Sequence, residues 1–255
     1  MGRDVLHANT EQMKKAGIEI NADKERVAQL NEMVTRIAAV SDLPDLPYNV
    51  TLFHTNIVNA AAAPGGSMMV FEGLYNSEEA LVKDEDELAA VMGHEIAHVT
   101  CRHVTERMTA VMPYALVAQI GTIILSQQNE DEWAKWLQGV FVVGSAILIP
   151  KYTRSSEAEA DRIGLFYMAM AGYDPRAAVR IWKRASTRKG AQDATNILST
   201  HPSSRDRYKV LEKLMPYAMA EYAIARGSYP RDYSPPSGFS YEPGSFNWRE
   251  KVDSY

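Results

Sequence analysis

From Asp23 to Val40 apolar residues recur at Val27, Leu30, Met33, Val34 and Ile37, the spacing of one face of a helix. Leu43-Pro44-Asp45-Leu46-Pro47 breaks it. Tyr48 to Thr55 then alternates, with Val50, Leu52 and His54 on one side and Thr51 and Phe53 on the other, which predicts a strand. The alanines of Asn59 to Ala63 favour a helix, but the run is too short before Pro64-Gly65-Gly66, so we read strand, turn and a second strand from Ser67 to Phe71. Asp84 with Glu87 is a variant capping box. It opens a helix from about Glu85 to Met108 that carries Leu88, Val91, Met92, Ile96 and Val99. Two apolar stretches, 110–125 and 139–149, flank a polar break at 127–135. Ser155 or Ser156 can cap a helix through Met170 that stops at Gly172. Asp174-Pro175 starts another, with proline at the favoured first position, and a last helix spans about Asp206 to Ala225. The organisation is one domain over 1–225 and an irregular tail rich in Pro, Gly, Ser and Tyr over 226–255.

With 255 residues and 46% hydrophobic residues, the chain can bury a sizeable core. Its net charge of -5, without any block of lysine and arginine, argues against a nucleic-acid partner. Cys101 is alone, so no intrachain disulfide forms. Met1 to Glu19 lacks the basic-then-apolar order of a secretory leader. No apolar run reaches the roughly 20 residues of a spanning helix. For 110–149 we favour core packing or homo-oligomer contact over peripheral membrane contact, and either over spanning.

His94-Glu95-Ile96-Ala97-His98 is an HExxH motif inside the helix capped by Asp84. Residues four apart lie roughly 40° apart around a helix, so both imidazoles leave one face as zinc ligands. Glu95, about 100° round from His94, is placed as a general base for water that zinc has acidified. A surface helix carrying these residues by chance is the bland alternative, and the capped apolar context disfavours it. Within the helix no further ligand is in reach. Cys101 and Val104 stand where a glycine and a third histidine would extend the motif, and His103, at roughly 180° from His94, points away. Cys101 shares the ligand face, one turn on, and reads as a packing residue; His7 and His54 have no partner legible in the sequence.

The third ligand therefore comes from another element. In Ser155-Ser156-Glu157-Ala158-Glu159-Ala160-Asp161, Glu157 and Asp161 share a face with Gly164 and Met168, whereas Glu159 points roughly opposite. Gly164 lets this helix approach a neighbour closely. Glu157 is then the ligand, and Asp161 accepts a hydrogen bond from the free nitrogen of a ligating histidine. An acidic first turn is also what the helix dipole favours whatever the function, so this reading leans on the HExxH motif.

These motifs resemble the gluzincin zinc metallopeptidases that include the CAAX prenyl endopeptidase, HtpX and the BepA-like periplasmic chaperone-proteases. The resemblance covers roughly Asn59 to Arg207. It rests on the strand and turn Asn59 to Gly66, on Leu88 to Gly93 leading into the HExxH, on Arg102-His103, on Glu157 and Asp161 as an ExxxD motif, and on His201-Pro202 with Arg207. In that family a larger residue often stands within Ala61 to Ala63. The resemblance implies an α+β, mainly α, fold: a helical metalloprotease domain with a small sheet beside the HExxH helix. It also implies that an extended peptide adds to an edge strand, with Asn59, Ala60 and Ala62 on the substrate side. His201, by itself an ordinary loop residue, gains a site role under the resemblance. It either donates to the oxyanion or occupies the open zinc position as a latch, and we favour the latch at rest. Arg207 braces the nearby carboxylates or that loop.

The expected function is a zinc-dependent endopeptidase with Zn2+ as cofactor and unfolded or extended polypeptides as substrates, in periplasmic or envelope quality control. The competing readings are a latent protease that works as a chaperone or scaffold, and a zinc exopeptidase. The last is disfavoured by the lack of any anchor for a free terminus.

Overall fold

Asp23 starts the first helix, its carboxylate accepting the Arg26 N–H at 2.9 Å. In this computed structural model the described residues are 10–109 and 152–243, except 12, 16, 64, 79, 107, 108, 188–196, 198–200 and 202–206. The first helix, α1 (Lys24–Ala39), buries Leu30, Met33, Val34 and Ile37 of the stripe its spacing predicts, together with Ala38, while Val27 is partly buried. Strands β1 (Asn49–Phe53), β2 (Ala60–Ala62) and β3 (Ser67–Phe71) form one sheet in the order β1-β3-β2. β1 runs parallel to β3, and β2 runs antiparallel to it along an edge.

β1 ends at Phe53, and Phe53 is buried by stacking on Phe71 with ring centroids 5.1 Å apart, so both faces of the strand are covered. His54 lies beyond the strand and has partners after all. Its Nε2 accepts the Ala22 N–H at 3.1 Å, and its Nδ1 sits 3.0 Å from Glu72 Oε2.

Helix α2 (Glu85–Thr100) is capped by Asp84, which accepts the Glu87 N–H at 2.8 Å. Glu87 itself is buried, accepts the Lys83 N–H at 2.9 Å and pairs with Arg184 at 2.6 Å. Every residue from Glu87 to Val99 is buried, so α2 runs through the core rather than over it. It stops at Thr100, not near Met108: Arg102 takes a left-handed φ of 63°, and a helical turn resumes only at His103.

Helix α3 (Arg154–Met170) begins earlier than expected. Thr153 is the cap, its hydroxyl accepting the Ser156 N–H at 3.0 Å, so both candidate serines fall in the first turn. It closes at Gly172, with φ 79°, where the Tyr173 N–H reaches the Met168 carbonyl at 2.9 Å. α4 (Arg176–Thr187) and α5 (Arg207–Arg226) complete the helices that carry the site.

α2 packs on α1, β2, α3 and α4, and α5 packs on α3 and α4. The α2–α3 crossing is the tightest. A Cβ added at Gly164 would lie 2.7 Å from His94 N, and one added at Gly93 would lie 2.8 Å from Gly164 O. The fold is α+β and mainly α. Among the described residues no helix is long and apolar enough to cross a membrane. The apolar stretches 110–125 and 139–149 lie outside the described residues. The tail from Gly227 to Pro243 forms no helix or strand. Phe239 packs edge-on against Tyr217 at 5.4 Å, and Asp232 pairs with Arg176 at 2.8 Å.

Candidate metal centre

Helical geometry brings His94 and His98 to one face of α2, with their Nε2 atoms 3.0 Å apart. The close crossing at Gly164 carries Glu157 of α3 to the same point. Its Oε1 lies 3.3 Å from His98 Nε2 and its Oε2 3.6 Å from His94 Nε2. His201 enters from the segment before α5, with Nδ1 2.9 Å from Glu157 Oε1 and 3.2 Å from His94 Nε2. All four groups are buried, and their donor atoms lie within 4.8 Å of one another. Two imidazole nitrogens and a carboxylate oxygen thus turn lone pairs towards one point. A cation there satisfies all of them at once, and a nitrogen–oxygen set of this kind suits zinc.

Two further side chains hold this set. Asp161 Oδ1 lies 3.0 Å from His94 Nδ1, which keeps the proton on that nitrogen and leaves Nε2 bare towards the cluster. Arg207 grips both oxygens of Asp161 at 2.5 Å, and its Nη1 lies 2.8 Å from Glu157 Oε2. The guanidinium stacks 3.9 Å over Trp182, whose ring meets the edge of His94.

Glu95 Oε2 accepts the Ala62 N–H at 2.9 Å, and Oε1 lies 3.3 Å from His201 Nε2. The Ala62 contact follows from strand pairing. The Asn59 carbonyl and the Ala63 N–H bond to β3, so in this antiparallel pair Ala60 and Ala62 turn their main-chain groups to the free edge. Asn59 differs from its two neighbours in this respect: its carbonyl faces inward, and only its side chain is free for a ligand. One step further back the edge is covered, since the Val58 carbonyl accepts the Ile197 N–H at 2.9 Å.

Comparison with known proteins gives the family. Residues 24–215 match the profile of peptidase family M48. The chain belongs to that family. Mitochondrial metalloendopeptidase OMA1 of Schizosaccharomyces pombe is 32% identical over 193 residues, covering 75% of this chain and 54% of the relative. OMA1 of Arabidopsis thaliana is 34% identical over 174 residues, 68% of this chain and 33% of the relative. The beta-barrel assembly-enhancing protease of Escherichia coli is 28% identical over 182 residues, 70% of this chain and 36% of the relative. The chain therefore spans about half of the first relative and about a third of the other two. M48 peptidases are zinc-dependent, and the four-residue cluster is where this chain can take that metal.

The electrostatics of this cluster suit a cation. Burial works to raise the Glu157 carboxyl, but the imidazoles of His201, His98 and His94 outweigh it and hold it well below the usual carboxylate range. Burial, reinforced by His94 and His201, pushes His98 well below an ordinary histidine, so it stays a neutral donor. Burial also opposes charge on His94, yet the hydrogen bond to Asp161 and the charges of Glu157 and Asp161 prevail and raise it. Asp161 is lowered, because Arg207 outweighs its burial.

Two neighbours of the site, Trp182 and Tyr152, escaped the sequence analysis, and a third, His103, lies elsewhere than expected. Trp182 lies on the buried stripe of α4 with Ala177, Ala178, Ile181 and Ala185, a pattern that marks it as inward but not as a site residue. Tyr152 stacks on His98 with centroids 3.8 Å apart and planes at 19°; nothing in the sequence flags it. His103, expected to point away, lies 3.0 Å from His98 Nδ1 because the chain turns at Arg102. Cys101 is half-buried against the core, in line with a packing role.

Proposed function

We propose that this chain is a zinc endopeptidase that cleaves unfolded or damaged polypeptides, with His94, His98 and Glu157 as the metal ligands and Glu95 as the catalytic carboxylate. The single observation that carries this reading is the arrangement of Glu95. One oxygen is held by the edge-strand amide of Ala62, and the carboxylate stands beside the buried His94–His98–Glu157 cluster. Bound zinc supplies Lewis acidity, acidifying water and polarising a carbonyl. The chain supplies the rest. Glu95 takes a proton from the attacking water and passes it to the departing amine. Asp161 keeps His94 in the binding tautomer, and Arg207 fixes Asp161 and Glu157 together. The outward Ala60 N–H and the Ala60 and Ala62 carbonyls suit an added peptide strand, the Ala62 N–H being held by Glu95; such a strand binds without regard to sequence and lays a main-chain carbonyl across the site. The relatives named for mitochondria and for β-barrel assembly support work in protein quality control at an envelope or organelle membrane, with the periplasm as our choice of setting. The experiment is digestion of reduced, unfolded casein with and without a zinc chelator, by the parent and by Glu95→Gln. Cleavage by the parent, lost with chelator and absent in Glu95→Gln, is expected; equal cleavage by Glu95→Gln would remove Glu95 as the base.

A second reading, a latent protease that binds extended chains, has its own observation. Ile197 pairs with the Val58 carbonyl on the edge that continues β2, the His201 N–H bonds to the Ile197 carbonyl at 2.8 Å, and the His201 imidazole sits among the proposed ligands. Ile197 on the edge and His201 beside the proposed ligands support a latch, in which His201 would take the position that the three protein ligands leave open.

A further inference from the structure

We propose that His103 and Glu159 form a hydrogen-bonded relay that fixes the tautomer and orientation of His98 as a metal ligand, a positioning role distinct from that of Asp161 on His94. The inference rests on the metal reading above. His98 Nε2 faces the cluster, 3.0 Å from His94 Nε2 and 3.3 Å from Glu157 Oε1. A ring nitrogen that binds a metal carries no proton, so the proton of neutral His98 must sit on Nδ1. A buried N–H needs an acceptor. For His94 that acceptor is Asp161. For His98 the neighbour is His103 Nδ1, at 3.0 Å. His103 Nδ1 accepts only if its own proton is on Nε2, and Nε2 lies 3.1 Å from Glu159 Oε2. The chain His98–His103–Glu159 therefore has one donor and one acceptor at each link, and it ends on a carboxylate at the protein surface.

The backbone is bent to make this contact. In a continuous helix His103 would stand roughly 140° round from His98. Instead α2 ends at Thr100, Cys101 caps it, and Arg102 takes φ 63°. Glycine is the usual residue at such a helix end. Among the described residues only Asn21 is a second non-glycine with positive φ. The Glu106 N–H then bonds to the Arg102 carbonyl at 2.9 Å and restarts the helix with His103 turned inward and buried. A strained residue kept beside a site, with a buried polar contact as its result, is the pattern of a functional constraint. Glu159, on the face of α3 opposite Glu157, is drawn into the same centre from outside. The donor atoms of Cys101, His103 and Glu159 also lie within 4.8 Å of one another. Both ring nitrogens of His103 are already engaged, however, so the relay accounts for this cluster without a second ion.

The test compares His103→Ala, His103→Leu, His103→Asn and Glu159→Leu in the full chain. Asparagine is the informative variant, because its Oδ1 can replace Nδ1 as the acceptor. Zinc affinity is read by chelator competition, and the ligand field by the absorption of the Co2+-substituted protein. The relay predicts zinc binding about 10–100-fold weaker in His103→Ala and His103→Leu, with an altered cobalt spectrum, and recovery of most of both in His103→Asn. If His103→Ala fails to fold, the Leu and Asn variants still decide. Parental affinity in His103→Leu overturns the relay in favour of packing, and His103→Asn as weak as His103→Leu overturns it too. Parental affinity in Glu159→Leu overturns it as stated. Two zinc ions per parent chain, falling to one in His103→Asn, would replace it with a second metal site. A parent that binds no zinc removes the metal reading and the relay together, whereas a zinc-binding parent with unaffected variants removes the relay alone.

Discussion

His201 shows how much one side chain can do in this site. Its two ring nitrogens reach Glu157 and Glu95 at 2.9 and 3.3 Å. Three protein ligands leave zinc one position for water or substrate, and a histidine that fills it stops catalysis. Swung away, the same ring could donate to an oxyanion. The two roles predict opposite results for His201→Ala. The latch predicts faster basal cleavage of an unfolded substrate at equal zinc content; a donor predicts a loss of about 10²–10³ in turnover. Unchanged activity would return His201 to an ordinary loop residue. Cys101 offers a second test at this scale. Burial, with the Glu159 charge behind it, pushes its thiol up to about 12. The thiolate is the reactive form, and it appears only above the pKa. At pH 8 about a quarter of a free cysteine is ionised, against a fraction on the order of 10⁻⁴ for a thiol with a pKa near 12. Alkylation by iodoacetamide at pH 8 should therefore be about a thousandfold slower in the folded protein than in guanidinium. A folded rate within tenfold of the unfolded one would contradict the buried, anion-flanked setting.

At the scale of elements, the α2–α3 crossing decides whether the site exists. Gly164→Ala gains helix propensity, about 1 kcal/mol. Against that, the new Cβ would lie 2.7 Å from His94 N and 2.8 Å from Gly93 C, backbone atoms that cannot swing aside. Overpacking of this kind costs about 1–3 kcal/mol. A lower urea midpoint is expected despite the better helix former, together with weaker zinc binding. A raised midpoint with unchanged zinc affinity would show that the helices have room to spare. This crossing is legible in the sequence, because Gly164 shares the face of Glu157 and Asp161. So is the stripe of α1, and so is the cap at Asp84, which puts a short acceptor just before a periodic run. What the sequence hides has a physical pattern. The end of α2 is missed because Arg102 is no helix breaker by type, yet it takes a left-handed φ of 63°. The start of α3 is missed because Thr153 caps as well as serine does, and local chemistry does not choose among three neighbouring hydroxyls. Trp182 and Tyr152 are missed because an inward aromatic looks like any core residue until the helices are packed.

For the whole molecule, the site is where distant segments meet. α2 supplies His94, Glu95 and His98; α3 supplies Glu157 and Asp161; Arg207 opens α5; and β2 lays its free edge alongside. None of these segments can hold the metal alone, so metal binding and the folded state are linked, and a bound ion stabilises the fold by mass action. Under the proposed roles, Glu95 and the metal ligands are separable by mutation, because Glu95 stands beside the buried His94–His98–Glu157–His201 cluster rather than within it. The measurement that bears most directly on the account is the zinc content, by elemental analysis, of the full chain purified without added metal, for the parent, Glu95→Gln and Glu157→Ala in parallel. The account predicts about one zinc per chain in the parent and in Glu95→Gln, and markedly less in Glu157→Ala. Zinc near zero in the parent, with no uptake when the ion is supplied, would contradict it; full zinc retention in Glu157→Ala would show that the third ligand lies elsewhere.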